Sequence, residues 1–297
     1  MLPACPIHEA VSNVPPAGGA PGRLQHLGIL RFSGPDAVNF LQGQVSNDTS
    51  RLNDGIPVFA AYSSPQGRVL AVLRLLPHSS GIVAVLARDL VAATAERLRK
   101  FVLRAKVKIE DLSDDYAVFG AQGDGSLRGN SYAEHDEVGV AAASGSSRHW
   151  IVGPAAELAR RFAGPDIGLD WRRADIAEGV PQVYAATSEQ FVAQMLNLDL
   201  LEGISFNKGC YTGQEIIART QHLGRIKRRM FRLKLPGGAW SVGQPLTLAD
   251  GRTGRITELA PIAEHYEALA VLTLEAGSGR EDGETVDAVE LPLPYSL

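Results

Sequence analysis

The chain has 297 residues, 45% of them hydrophobic and 21% charged, which supplies ample core material and more length than one hydrophobic core ordinarily organises, so two or three domains are expected. Its 29 basic and 33 acidic side chains leave a net charge of −4, which excludes a globally basic nucleic-acid coat and allows only local basic patches. No apolar run approaches the ~20 residues that span a bilayer.

Residues 1–22 contain Pro3, Pro6, Pro15, Pro16 and Pro21, no Lys or Arg, and no continuous apolar stretch. Neither a secretory signal nor an Arg-rich mitochondrial presequence has that composition, so a flexible leader on a cytoplasmic protein is expected. Two cysteines, Cys5 and Cys210, cannot build a disulfide framework, a paired-CxxC zinc site or a four-thiolate iron–sulfur cluster within one chain. No resident metal is expected. Any iron–sulfur role falls on other proteins or a shared site, and cofactor chemistry has to come from a diffusible molecule.

Leu27 to Phe32 reads as a strand, and Pro35 then opens a helix whose inward stripe is Ala37, Val38, Phe40 and Leu41. Val58 to Tyr62 and Val69 to Leu76, split by Ser63-Ser64-Pro65-Gln66-Gly67, predict a hairpin. Ile82 to Leu86 is a further strand. Asp89 is placed to cap a helix with Leu90, Thr94, Leu98, Phe101 and Val102 at helical spacing. Val107 and Ile109 alternate as a half-buried strand, Tyr116 to Ala121 is another strand, and Gly123 to Gly145 reads as irregular. His149 to Val152 (strand) and Pro154 to Phe162 (helix) complete an α+β pattern too mixed for a doubly wound sheet. From Lys227 the character changes to short strands between turns, at Met230 to Leu235, Pro245 to Ala249, Arg255 to Leu259 and Ala268 to Leu274, which predicts a small β-barrel after a boundary near Gly224.

The densest signal is Lys208-Gly209-Cys210-Tyr211-Thr212-Gly213-Gln214-Glu215. Thr212 and Glu215 form a T-x-x-E capping box, which starts a helix at Gly213 running towards His222. Cys210 then stands just outside a helix N-terminus with Lys208 close in sequence, and both features favour thiolate over thiol. Gly209 and Gly213 allow close backbone approach, the way an anionic or planar ligand reaches main-chain donors. A buried structural thiol beside an ordinary capped turn is the alternative.

The octapeptide resembles the K-G-C-[YF]-x-G-Q-E signature of the YgfZ family, folate-binding proteins related to the T-protein (aminomethyltransferase) of the glycine cleavage system. Three more blocks share the resemblance. Phe40-Leu41-Gln42-Gly43-Gln44-Val45-Ser46-Asn47-Asp48 is similar to F-L-Q-G-Q-x-[ST]-N-D. Asp175-Ile176-Ala177-Glu178-Gly179-Val180-Pro181 is similar to R-I-x-x-G-x-P, with Asp175 in the arginine's place. Gln190 to Leu198 is similar to Q-F-x-P-Q-x-x-N-L, with Ala193 for proline.

The resemblance implies a T-protein-like, three-domain cloverleaf around a central channel, its last domain a small β-barrel. The matching divisions are a leader (1–22), a first α+β part (23–112), a second that carries the signature (113–224) and the barrel (225–297), the first two parts free to interleave. It further implies a tetrahydrofolate-type ligand, and a folate-binding accessory protein that supports assembly or repair in iron–sulfur enzymes and through them, indirectly, tRNA modification. The implied partners are folate and iron–sulfur proteins or assembly factors, with no membrane and no direct nucleic-acid contact. Cys210 is the implied reactive thiol, with Lys208 beside it. As nucleophile, transient iron ligand or redox contact, all three roles stay open. Asn47, Gln194 and Asn197 (amides with donor and acceptor), Trp171 (a flat wall), Tyr211, Gly213, Gln214 and Glu215 are the candidate folate contacts. For the amides the alternative is loop hydrogen bonding, and for Trp171 core packing.

Two departures bear on activity. T-proteins carry adjacent aspartates where this chain has Ala71 and Val72, and methyl and isopropyl groups accept no proton. A conventional aminomethyltransferase is therefore not expected, and a folate-dependent one-carbon transferase with another base is the second reading. The glutamate that pairs with pterin in T-proteins falls at Ala177, while the carboxylate here is Glu178, one residue on. A basic stretch, Arg219, Arg225, Lys227, Arg228, Arg229, Arg232 and Lys234, with no acid between Glu215 and Asp250, reads as an anion site or as a solvated strand face. Stacking aromatics are not interleaved with it, which argues against an RNA module.

Overall fold

In a computed structural model, which describes residues 20–122, 131–142, 147–222, 224–277 and 283–297, the chain divides into two compact units. Residues 1–19 of the expected leader, Cys5 among them, lie outside the described residues, while its last residue, Gly22, pairs with Gly120 in a strand rather than being free leader. The first unit takes residues up to Gln44, Asp48–Phe59 and Leu73–Gly168; the second takes Val45–Asn47, Ala60–Val72 and Leu169–Leu297.

In the first unit, β1 (Gly22–Arg23), β7 (Tyr116–Gln122), β10 (Arg148–Pro154), β9 (Val138–Ala142) and β8 (Tyr132–His135) make a five-stranded antiparallel sheet in that order. One face carries a core of Ala117, Phe119, Ala133, Val138, Val140 and Ile151, closed by Leu158 of helix α3 (Ala155–Arg161). The hairpin β8–β9 lies where sequence predicts irregular chain. Its turn residues Asp136 and Glu137 both have positive φ, the geometry of a tight two-residue hairpin turn, but lack the glycine that announces one.

A second sheet has the order β3 (Val58–Ser63), β4 (Val69–His78), β5 (Gly81–Ala87), β2 (Leu27–Ser33), β6 (Lys108–Asp111). The predicted 58–76 hairpin is therefore real. Helix α1 (Ala37–Gln42) turns Ala37, Phe40 and Leu41 inward, and Val38 is only half-buried. Helix α2 spans Val91–Arg99, shorter than the spacing predicts, and Asp89 sits in a preceding 3-10 turn without capping it. Lys100, Phe101 and Val102 donate to carbonyls three residues back, tightening the last turn and leaving Phe101 exposed.

The long C-terminal segment of the second unit enters through α4 (Gly168–Glu178), a helix with no clean apolar stripe, which buries Trp171, Asp175 and Ile176. Helix α5 (Gln214–His222) begins one residue after the predicted start. The C-terminal strands β11 (Arg228–Leu235), β12 (Pro245–Leu248), β13 (Thr253–Ile262), β14 (His265–Thr273), β15 (Glu284–Val286) and β16 (Val289–Leu291) form one sheet in the order β15-β12-β13-β14-β11-β16. Its edge strands β15 and β16 are joined by Asp287 and Ala288 alone. A flat sheet of that size would set its edges about 24 Å apart, and so short a connection reaches at most about 11 Å. The sheet is therefore rolled around Phe231, Leu233, Leu246, Ile256, Ala270 and Leu272, giving the barrel-like tail that the strand spacing predicts. No helix among the described residues is long and apolar enough to cross a membrane.

Candidate functional site

The signature loop runs from Gly203 to the start of α5, and each of its flanks is fastened. Upstream, the strap Val45–Asn47 holds it. Ser46 Oγ donates to Gly203 O (2.6 Å), Ser205 N donates to Ser46 O (3.0 Å), and Asn47 Nδ2 donates to Glu202 O (2.7 Å). Lys208 Nζ donates to Val45 O (2.8 Å) and Asn47 O (2.7 Å) and lies 5.1 Å from the centre of the Tyr211 ring, a cation–π contact. The strap is itself paired to β3 through Ser46 N to Ala61 O (2.9 Å) and Ala61 N to Ser46 Oγ (2.8 Å).

Downstream, Tyr211 is buried, and desolvation pushes its phenol up to about 12, so it stays neutral at physiological pH. Gly213 has φ +84°, and a Cβ there would lie 2.6 Å from Ser64 O in the β3–β4 turn. The close approach read from the sequence is thus made by the chain's own backbone. At Gly209, among the described residues, nothing lies within 4 Å of an added Cβ. Gly213→Ala should therefore destabilise by about 1–3 kcal/mol, while Gly209→Ala should be near neutral, as paired thermal melts would read. Equal melts would contradict this geometry.

Between these fastenings Cys210 is exposed, so the buried-thiol alternative does not hold. Gln214 is half-buried and Glu215 exposed in the first turn of α5. The other candidate contacts lie inside. Gln194 is 0% exposed and donates from Nε2 to Ile217 O (2.7 Å), while its Oε1 has no partner among the described residues. Asn197, with φ +58°, donates to Met230 O (2.8 Å) and Tyr295 Oη (3.3 Å), and the Tyr295 hydroxyl donates to Gly179 O (2.7 Å) behind α4. Asn47 is bonded to Glu202 O, and Trp171 is buried. Ala71 and Val72 are fully buried in β4. Glu178 is half-buried.

Three of the seven basic side chains in the stretch meet acids. Arg229 forms a fork on Asp199 (2.6 and 2.8 Å), Arg232 meets Glu267 (2.6 Å) and Arg225 meets Glu275 (3.0 Å), while Lys234 is exposed on β11 between buried Leu233 and Leu235. Among the described residues no group of three His, Cys, Asp or Glu could hold a metal.

Sequence reading missed one cluster, for which no motif gave a signal. Glu258, 1% exposed at a bulge in β13, accepts from Tyr184 Oη (2.5 Å) and Leu259 N (3.0 Å), with Arg172 of α4 at 3.8 Å. Burial pushes its carboxyl up to about 7, against the pull of Tyr184, the Leu259 amide and Arg172; Asp175 adds to the rise.

These sheets and helices define a mixed α/β protein with the T-protein fold. The crystal structure of glycine cleavage system aminomethyltransferase T from Bartonella henselae matches with a TM-score of 0.65 at 16% identity, over 86% of this chain and 79% of that one. No protein-family model matches the chain. Proteins named tRNA-modifying protein YgfZ do: 31% identity over 307 residues in Pectobacterium carotovorum subsp. carotovorum (92% of this chain, 91% of the relative) and 30% over 303 residues in Serratia proteamaculans (92% of each). The chain belongs to the YgfZ family.

A tetrahydrofolate ligand has to suit the donor set that is present. The amide donors of Asn47, Gln194 and Asn197 serve main-chain carbonyls, but Gln194 Oε1 is a buried acceptor with no partner among the described residues, the kind of atom a pterin N–H would satisfy. The half-buried Gln214 amide and the exposed Glu215 carboxylate also carry acceptor oxygens, the atom type that complements the adjacent N–H donors of a pterin edge.

Proposed function

We propose that this protein is a cytoplasmic, folate-binding accessory factor that supports iron–sulfur enzymes and, through them, tRNA modification, with Cys210 as its working group. The observation that carries the reading is the exposed sulfur at an open stretch of a loop fastened on both flanks. Thiolate is the ligand that iron–sulfur clusters take, and a single exposed thiol reaches a cluster on another protein without holding one itself. The relatives' name, tRNA-modifying protein, agrees with an effect on tRNA exerted through such enzymes. The three-domain, channel-centred arrangement of the resemblance belongs to the same proposal.

Gln214 and Glu215 would hold the folate, beside Cys210. When bound, a reduced folate supplies a nitrogen pair able to carry a one-carbon unit. The chain's own part is to present acceptors to the pterin edge and to keep the thiol in reach. Ala71 and Val72, buried without a carboxylate, offer no proton acceptor at the position T-proteins use.

Calorimetry with tetrahydrofolate should show saturable binding that Glu215→Ala weakens by about tenfold, the worth of one charge-assisted hydrogen bond. Cys210→Ala should leave the melt unchanged and abolish support of iron–sulfur enzymes in cells lacking the wild-type protein. Full support by Cys210→Ala would remove the thiol's role, absent binding would remove the folate, and formaldehyde or ammonia release from an aminomethylated carrier would establish the transferase instead.

A further inference from the structure

We propose that Lys208 is a positioning residue for the Cys210 sulfur, tying the loop that carries it to the strap Val45–Asn47 and taking no chemical part itself. The inference rests on Cys210 being the working group of the proposed function. A lysine two residues from a reactive thiol invites assignment as an acid, a base or a nucleophilic amine. Each role requires the head group to face the reacting atoms, and an amine that attacks must present a lone pair there. The Lys208 ammonium faces two carbonyl oxygens, at 2.8 and 2.7 Å, and the face of the Tyr211 ring. Carbonyl oxygens and a π-face attract N–H and repel a lone pair.

The same two carbonyls belong to a strap that is fixed independently. Ser46 pairs with Ala61 in both directions, and Ser46 and Asn47 side chains hold Gly203 O and Glu202 O. Glu202 has φ +54°, a strained conformation for a residue with a side chain, and the Asn47 amide pins its carbonyl. The strap thus grips the loop at Glu202–Ser205 and again at Lys208. Past Lys208 only Gly209 separates the grip from the sulfur, and a Cβ added at Gly209 would meet nothing within 4 Å among the described residues. The ammonium is the fastening nearest in sequence before Cys210.

Lys208→Arg keeps a cation with several N–H donors but no reactive amine, and Lys208→Met removes both donors and charge. In the full chain, Lys208→Met removes both charge-assisted hydrogen bonds and should speed amide exchange at Ser205 by about tenfold or more. It should also change the rate of Cys210 alkylation by iodoacetamide by about threefold or more, with barrel amides such as Leu233 unchanged as the control for global folding. Lys208→Arg should restore both readings to near wild type. If Lys208→Met does not fold, Lys208→Gln, which loses the charge but keeps amide N–H donors, should move both readings in the same direction by a smaller factor, and wild-type readings in both Lys208→Gln and Lys208→Arg would overturn the proposal. Wild-type alkylation in Lys208→Met overturns the proposal. So does alkylation in Lys208→Arg that matches Lys208→Met while Ser205 stays protected, since the amine itself would then matter. Neither reading uses folate, so failure here is distinguishable from failure of tetrahydrofolate binding.

Discussion

Replacing Arg229 by methionine is expected to destabilise the protein by about 3–5 kcal/mol, because it leaves a buried carboxylate without its partner. Arg229 sits in β11 with a side chain 10% exposed, and its fork closes on Asp199, 7% exposed, through bonds of 2.6 and 2.8 Å. The same Nη1 also donates to Gln194 O at 2.9 Å. One rung further, Asn197 donates to Met230 O and accepts from Met230 N. The segment from Gln194 to Asp199 is therefore sewn to β11 by paired polar contacts that are mostly shielded from water. Thermal melts should register a fall of about 10 °C or more. Arg229→Met combined with Asp199→Leu should recover much of that loss, since the cost lies in the orphaned charge rather than in the absent bridge. A single variant as stable as wild type would show that Asp199 finds water or another donor.

That pair also shows where sequence reading stops. The strands and helices were legible because burial imposes a period: alternation in Met230 to Leu235, helical spacing in Ala37, Phe40 and Leu41. Helix α4 was not read, because an inward Asp175 beside Trp171 and Ile176 spoils the apolar stripe. The hairpin at Asp136-Glu137 was hidden because its turn uses two acidic residues in the left-handed region, where glycine or asparagine would have signalled it. The octapeptide was legible as a string, and its cysteine is exposed. The polar residues around it were not legible as to role. A primary amide that binds a ligand and one that pins a carbonyl look alike in one dimension. Which of them Asn47, Gln194 and Asn197 do is set by where Glu202, Ile217 and Met230 fall in space. Arg229, read as part of a basic patch, has its acid 30 residues earlier in the chain.

Glu258 gives the second large effect, through pH. Its carboxyl is pushed from 4.5 up to about 7 in the folded chain, chiefly by burial, so between those values the folded state keeps a proton that the unfolded state has released. Stability contributed at this site is therefore intact below about pH 4.5, declines as pH rises towards 7, and stays lost above it. The full swing is about 3 kcal/mol. The surrounding groups set the sign. Tyr184, its own phenol driven up by burial and by Glu258, remains a neutral donor throughout. Arg172, at 3.8 Å, favours the ionised form, and Asp175 opposes it. In Glu258→Gln an amide of the same shape can still accept from the Leu259 amide and meet the Tyr184 hydroxyl, but it cannot ionise. Urea unfolding at pH 4 and pH 8 should therefore show the variant gaining on wild type by about 3 kcal/mol between the two, whatever the substitution costs at either pH alone. Curves that run parallel across that interval would mean Glu258 is already ionised in the fold, with Arg172 outweighing the loss of water around it.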